Sequence, residues 1–193
     1  MKRIGIFGGT FSPPHLGHLD LALLAVDHLR LDMVYIMPCQ FPPHKTSCIP
    51  TYHRLNMLRL LFADQDNFRF DFSEILRDGP SLTHLSLASW HQSHPKDELF
   101  FIMGSDSFAT ITSWDHWEGM ILNSDIAVIP RGENPDDIQI PSAWHPHKDN
   151  IHILSESVRP ISSTLIRETN NEQLIKSYLG NQVARYYLTH FQT

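Results

Sequence analysis

"FGGTFSPPHLGH", residues 7–18, decides how this chain is read. It follows a short apolar run at residues 3–7 that reads as a buried strand. After it, Leu16, Leu19, Leu23, Val26 and Leu29 recur at helical spacing and predict a helix over residues 14–29. Gly8, Gly9, Pro13, Pro14, His15 and His18 therefore gather where a strand hands over to a helix. Gly8 and Gly9 let the backbone come close to a ligand and adopt conformations closed to other residues. The prolines stiffen the turn and can begin the helix, whose N-terminal N–H groups attract anions. His15 and His18, three apart, lie on one side of that start, and imidazole can donate hydrogen bonds or become cationic beside phosphate. The plain alternative is a tight turn with surface histidines. Glycine together with paired imidazoles at a helix start favours a phosphate cradle instead. The stretch is neither a P-loop nor a G-x-G-x-x-G fingerprint, because the spaced residues of both are missing.

Outward from this stretch, residues 33–37 form a second apolar run and close a β-α-β unit, the crossover that parallel strands need. The Pro-rich "PCQFPPHKTSCIP" that follows reads as an irregular loop. Thr51 is placed to cap a helix reaching residue 63, and Phe68, Phe70 and Phe72 alternate as in a strand. A shorter helix is expected over residues 80–90, strands over 99–103 and 126–129, and a largely helical stretch over 107–122. Residues 131–150 look like a surface excursion without a core of their own, before a last strand at 151–154 and two short terminal helices. Alternating strands and helices give an α/β, Rossmann-like doubly wound fold, with a mainly parallel sheet and helices on both faces. In such sheets ligands bind beyond the carboxyl ends of the strands, where the opening stretch lies.

The 193 residues, 41% hydrophobic and 19% charged, suit one domain spanning residues 1–193. A net charge of −6 argues against a nucleic-acid polymer as partner but leaves room for a small phosphorylated ligand. No stretch approaches the roughly 20 apolar residues of a membrane span, and no secretory signal is visible, so a cytoplasmic setting is expected. Cys39 and Cys48 share one loop and make no framework. The 13 histidines raise zinc, but they are scattered, with neither a cysteine cluster nor H-E-x-x-H beside them, and no protein metal site is expected.

Near the other end, "ISSTLIRE" at residues 161–168 lets Ser162 or Ser163 cap a helix with Arg167 about one turn on. Alone it is an ordinary capped helix. Beside the first motif it offers a second anion-binding helix start plus a guanidinium, a pairing that suits a triphosphate.

"GTFSPPHLGH" and "ISSTLIR" resemble the two signatures of the nucleotidylyltransferase superfamily. "PPHK" at 42–45, "GPSLTHLSL" at 79–87 and "FIMGSDSFATITSW" at 101–114 are similar to its nicotinate/nicotinamide mononucleotide adenylyltransferase branch. All five stand in the expected order and cover the chain nearly end to end. The resemblance implies an enzyme of NAD biosynthesis that transfers AMP from ATP to nicotinate mononucleotide and releases pyrophosphate, with Mg²⁺ bridging the phosphates. It implies that His15 and His18 contact the ATP phosphates and stabilise the transition state beside Gly8, Gly9, Thr10 and Phe11. Ser162 and Arg167 would hold the triphosphate from the other side, with Lys45 reaching it from the loop. Gly104 and Asp106 would sit by the adenosine ribose, and Thr83 and Trp114 would hold the pyridine ring.

The sequence departs from the family pattern at Ser12, where Asp is common, at Leu82, where Tyr is usual, and at Cys39-Gln40, where an Asn-containing pair is typical. The last two touch the acceptor pocket. The alternatives are a nicotinamide-mononucleotide or phosphopantetheine adenylyltransferase, or a module that binds a dinucleotide without turnover.

Overall fold

The computed structural model describes residues 1–41 and 49–191; Lys45, the rest of "PPHK" and Cys48 lie outside them. Strands β1 (Arg3–Gly9), β2 (Met33–Pro38), β3 (Phe68–Phe70), β4 (Glu98–Gly104), β5 (Asp125–Ile129) and β6 (Ile151–Ile153) form one sheet in the order β3-β2-β1-β4-β5-β6. Every neighbouring pair is parallel. The strands are apolar nearly throughout because both faces of the sheet are covered. Phe7, Phe100, Ile102, Ala127 and Ile129 face one side, and Ile6, Phe101, Met103, Ile126 and Val128 face the other. This is the two-residue alternation of a pleated strand.

The first face carries α1 (Leu16–Leu29) and α2 (Thr51–Leu61) with the terminal α8 (Glu172–Leu179) and α9 (Asn181–Phe191). Leu21, Ala25, Met57, Leu58, Ile175 and Val183 from these helices are buried in one cluster. Across the sheet lie α3 (Ser73–Leu76), α4 (Thr83–Ser93), α5 (Ser105–Phe108) and α6 (Glu118–Ile121). Leu87, Phe108, Met120 and Ile121 fill that second core. A further helix, α7 (Ser163–Glu168), follows β6. The strand order reverses between β1 and β4, and Gly9 and Gly104 end these adjacent strands. A crevice at such a switch point is where doubly wound sheets bind ligands.

Several local expectations differ. Helix α1 begins at Leu16 rather than at residue 14, because His15 is extended (φ −147°, ψ 168°) and serves as the N-cap. Thr51 is the first residue of α2 and not its cap, which is Pro50; its hydroxyl accepts from Arg54 instead. Strand β3 stops at Phe70, and α3 replaces its expected continuation. Helix α4 begins at Thr83, three residues after the proline expected to start it. The stretch 107–122 breaks into the end of α5, a 3-10 turn at Ile111–Ser113 and α6. The terminal region contains α7, α8 and α9 rather than two helices.

The largest correction concerns residues 131–150. They carry Trp144, which is 0% exposed and packs against Phe108 and Trp117 at ring distances of 5.9 and 5.3 Å. The excursion therefore contributes to the second core. One indole burying some 150–250 Å² anchors what is otherwise a polar segment.

Candidate active site

Beyond the ends of β1 and β4 opens a cleft of about 990 Å³. It is lined by Gly8, Gly9, Thr10, Phe11, His15, His18, Thr83, Gly104, Asp106, Trp114, Ser162 and Arg167. Of the candidate site residues named from sequence, only Lys45 falls outside the described chain.

Gly8 and Gly9 are still within β1, and the reason for glycine is space rather than conformation. A Cβ on Gly8 would come within 2.9 Å of the Phe101 ring, and one on Gly9 within 2.9 Å of the Phe11 ring. The positive φ of this turn (50°) falls on Phe11, whose buried ring packs on Phe7 and His18. From α2, the guanidinium of the buried Arg54 donates to the Thr10 carbonyl at 2.7 Å and to the Ile49 carbonyl at 2.9 Å. Ser12 Oγ accepts from the Ile49 N–H at 2.9 Å, so the cradle backbone is held from behind.

The His15 and His18 rings lie 3.7 Å apart at 31°. The His15 N–H donates to His18 Nδ1 at 3.1 Å, which leaves the neutral His18 ring with its proton on Nε2. His15 is 1% exposed, and burial, helped by the Arg131 guanidinium, lowers its pKa to about 3. The cationic reading is therefore corrected for His15: it is a neutral imidazole here, acting through its N–H.

The C-terminal motif closes the other side. Ser162, not Ser163, caps α7, accepting from Leu165 N–H at 3.1 Å. Ser163 Oγ donates to the Pro13 carbonyl at 2.9 Å, and Arg167 donates to the Ser12 carbonyl at 2.5 Å. Both signatures thus meet as one surface. Asp106 lies in the first turn of α5 rather than at its cap, which is Gly104. Its carboxylate is 70% exposed and pairs with Arg131 at 3.1 Å.

Arg131 is a residue that sequence reading missed. It leaves the end of β5, donates to the Ile161 carbonyl at 3.3 Å and lines the cleft. A Cβ at position 104 would meet its Cδ at 2.8 Å, which accounts for Gly104. The available signal was a lone arginine right after an apolar strand end. At the far end, Thr83 opens α4, and among the described residues the Thr83 and His84 N–H groups have no partner within the protein. Trp114 follows the turn at Ile111–Ser113 and is half-buried on the cleft wall. No group of three or more His, Cys, Asp or Glu placed to hold a metal ion occurs among the described residues. No helix there is long and apolar enough to cross a membrane.

A family profile described as cytidylyltransferase-like matches residues 6–169. A Shewanella frigidimarina protein named "Probable nicotinate-nucleotide adenylyltransferase" is 34% identical, with 98% of each chain covered. A Bacillus subtilis nicotinate-nucleotide adenylyltransferase is 41% identical over 59% of this chain and 61% of its own. A Plasmodium falciparum nicotinic acid mononucleotide adenylyltransferase complexed with NaAD has the same fold, with a TM-score of 0.78, 22% identity, and 98% of this chain and 96% of that one covered. The chain belongs to the cytidylyltransferase-like family and, within it, to the nicotinate-nucleotide adenylyltransferases.

Proposed function

We propose that this chain, acting as one domain in the cytoplasm, transfers the adenylyl group of ATP to nicotinate mononucleotide. The products are pyrophosphate and nicotinate adenine dinucleotide, a precursor of NAD. The observation that carries the reading is one continuous cleft with a donor-lined cradle at one end and the open start of α4 beside Trp114 at the other. A triphosphate fits the first end and an anionic, aromatic acceptor the second.

The acceptor phosphate attacks the α-phosphorus in line, and its oxygen is already anionic near neutral pH. No general base is needed, so catalysis reduces to alignment and stabilisation of charge. His18 and His15 donate ring N–H groups to the phosphates, together with the backbone at Gly8, Gly9, Thr10 and Phe11. Ser162 and Arg167 hold the triphosphate from the other side, and the family resemblance adds Lys45 to the ATP-binding residues. Arg131 keeps Asp106 oriented beside Gly104, where the carboxylate accepts from the ribose hydroxyls. Magnesium, when bound with ATP, would neutralise charge on the phosphates that Ser162, Arg167 and the two histidines hold.

Thr83 and Trp114 hold the pyridine ring. The open N–H groups of α4 favour a ring carboxylate over a carboxamide, whose NH₂ would meet donors with a donor. Measured as pyrophosphate release at fixed ATP and magnesium, kcat/KM for nicotinate mononucleotide should exceed that for the nicotinamide compound by about 10²-fold. Equal use of both would remove the acceptor assignment and leave adenylyl transfer standing. No release with either would remove the reaction.

A further inference from the structure

Glu74 is the one buried acidic side chain lining the cleft among the described residues, at 3% exposure. It sits on α3, the short helix that precedes the crossing to α4. Burying a carboxylate is unfavourable unless its oxygens are satisfied, so packing alone would be better served by an apolar residue. Ser86 Oγ, in the second turn of α4, donates to Glu74 Oε1 at 3.0 Å. The nearby Ser81 hydroxyl also favours the ionised form of the Glu74 carboxyl. Ser81 Oγ in turn accepts from the Gln40 N–H at 3.0 Å, and the Ser81 N–H donates to the Phe41 carbonyl at 3.2 Å.

The carboxylate therefore ties α3 to the start of α4, while Ser81 ties the adjoining crossing at 79–82 to the chain that leaves β2. A second tie holds the far end of the same pair, where Trp90 Nε1 on α4 donates to Asp71 Oδ2 at 2.6 Å and Ser73 N–H donates to Asp71 Oδ1 at 2.8 Å. Burial pushes the Glu74 carboxyl upward, and the two serine hydroxyls and Arg77 pull it back toward the ionised form.

We propose that Glu74 is the positioning residue of the acceptor end: by accepting from Ser86, beside Ser81, it fixes α3 against the start of α4 and sets where the open N–H groups of Thr83 and His84 point. It touches neither substrate nor reacting atoms and acts through α4. This rests on reading that end of the cleft as the mononucleotide site.

The test is steady-state kinetics on Glu74→Ala, Glu74→Gln and Ser86→Ala, with each substrate varied in turn and thermal unfolding recorded alongside. Glu74→Ala should raise KM for nicotinate mononucleotide by about tenfold or more, the scale of lost bonds to a charged group, while KM for ATP stays within about twofold. Glu74→Gln, which still offers an oxygen to one hydroxyl and an amide to the other, should recover to within about threefold of the natural chain. Ser86→Ala should raise the acceptor KM about threefold, and it decides the matter if Glu74→Ala does not fold. Unchanged acceptor KM, or equal rises for both substrates with a lowered unfolding midpoint, would overturn the proposal by showing a merely structural carboxylate. Failure of the natural chain to transfer to any mononucleotide would instead overturn the reading of the reaction, and this proposal with it.

Discussion

The two ends of the cleft are built from different materials. At the cradle end, the backbone just after Gly8–Phe11 is held by bonds spanning 150 and 155 residues, from Ser163 to Pro13 and from Arg167 to Ser12. At the acceptor end, side chains on short helices do the holding: Glu74 on α3, Ser86 on α4 and Trp114 after a 3-10 turn. A backbone-built surface tolerates changes of residue type as long as the chain path is kept. A side-chain-built surface changes shape with each substitution.

The departures from the family pattern at 12, 39 and 82 each have a main-chain bond at the site, and Ser12 and Cys39 add side-chain bonds to Ile49 N–H and Thr10 Oγ1. Ser12 accepts Arg167 at its carbonyl. Cys39 donates its N–H to the Gly9 carbonyl at 3.0 Å, and the Leu82 carbonyl accepts from Leu85 and Ser86 at the start of α4. Exchanging the side chains at 12, 39 and 82 leaves those main-chain bonds in place.

The largest effect that could break this contrast is expected at His18, whose ring N–H the proposed mechanism directs at the phosphates. His18→Ala should lower kcat by roughly 10²–10⁴ with the fold intact, the scale of losing a preorganised donor at developing charge. His91→Ala, away from the cleft, should be nearly silent, and equal effects would remove the cradle reading. At the other end, Trp114→Ala should raise KM for the mononucleotide roughly 5- to 150-fold, the equivalent of about 1–3 kcal/mol, and leave KM for ATP almost alone. A loss of ATP affinity instead would show that the two ends are not separate.

A third measurement concerns what burial imposes on the cradle. The unfolded chain protonates His15 below pH 6.5, whereas the folded chain resists down to about 3, so stability falls as pH drops through that window. Between about pH 7 and pH 5 this residue costs about 2 kcal/mol of unfolding free energy, and urea titrations of His15→Gln should lack that increment. The smallest effect tests the long-range closure. Ser163→Ala removes the bond to Pro13 and should cost about 1 kcal/mol, a lowering of the unfolding midpoint by about 2–4 °C. No shift at all would mean that Arg167 alone joins the two signatures.

Much of this was legible in the sequence because parallel strands buried on both faces must be continuous apolar runs, and those at residues 3–7, 33–37, 99–103 and 126–129 stand out. The cradle was legible because glycine and paired histidines gather at a strand end. What escaped has physical reasons. Helix α3 has four residues, too few for any periodicity, so Glu74 carried no signal. Arg131 opens a polar stretch and reads as a loop charge until Asp106, 25 residues away, is brought to it. Trp144 was visible as an indole among prolines and histidines, but only the sheet shows that it has a core to enter. The neutrality of His15 depends on burial, which spacing alone does not reveal.

The ties from Ser163 and Arg167 to Pro13 and Ser12 also bear on how the protein is made. Synthesis proceeds from the N-terminus at about 5–20 residues per second, and early segments emerge first. The glycine turn, His15 and His18 leave the ribosome well before Ser163 and Arg167, yet the carbonyls at 12 and 13 wait for these partners 155 and 150 positions later. A nascent chain therefore cannot present a finished nucleotide site until Arg167 has been translated. Nucleotide binding becomes a late event of synthesis, and a chain released before residue 163 lacks the clasp that closes its own first motif.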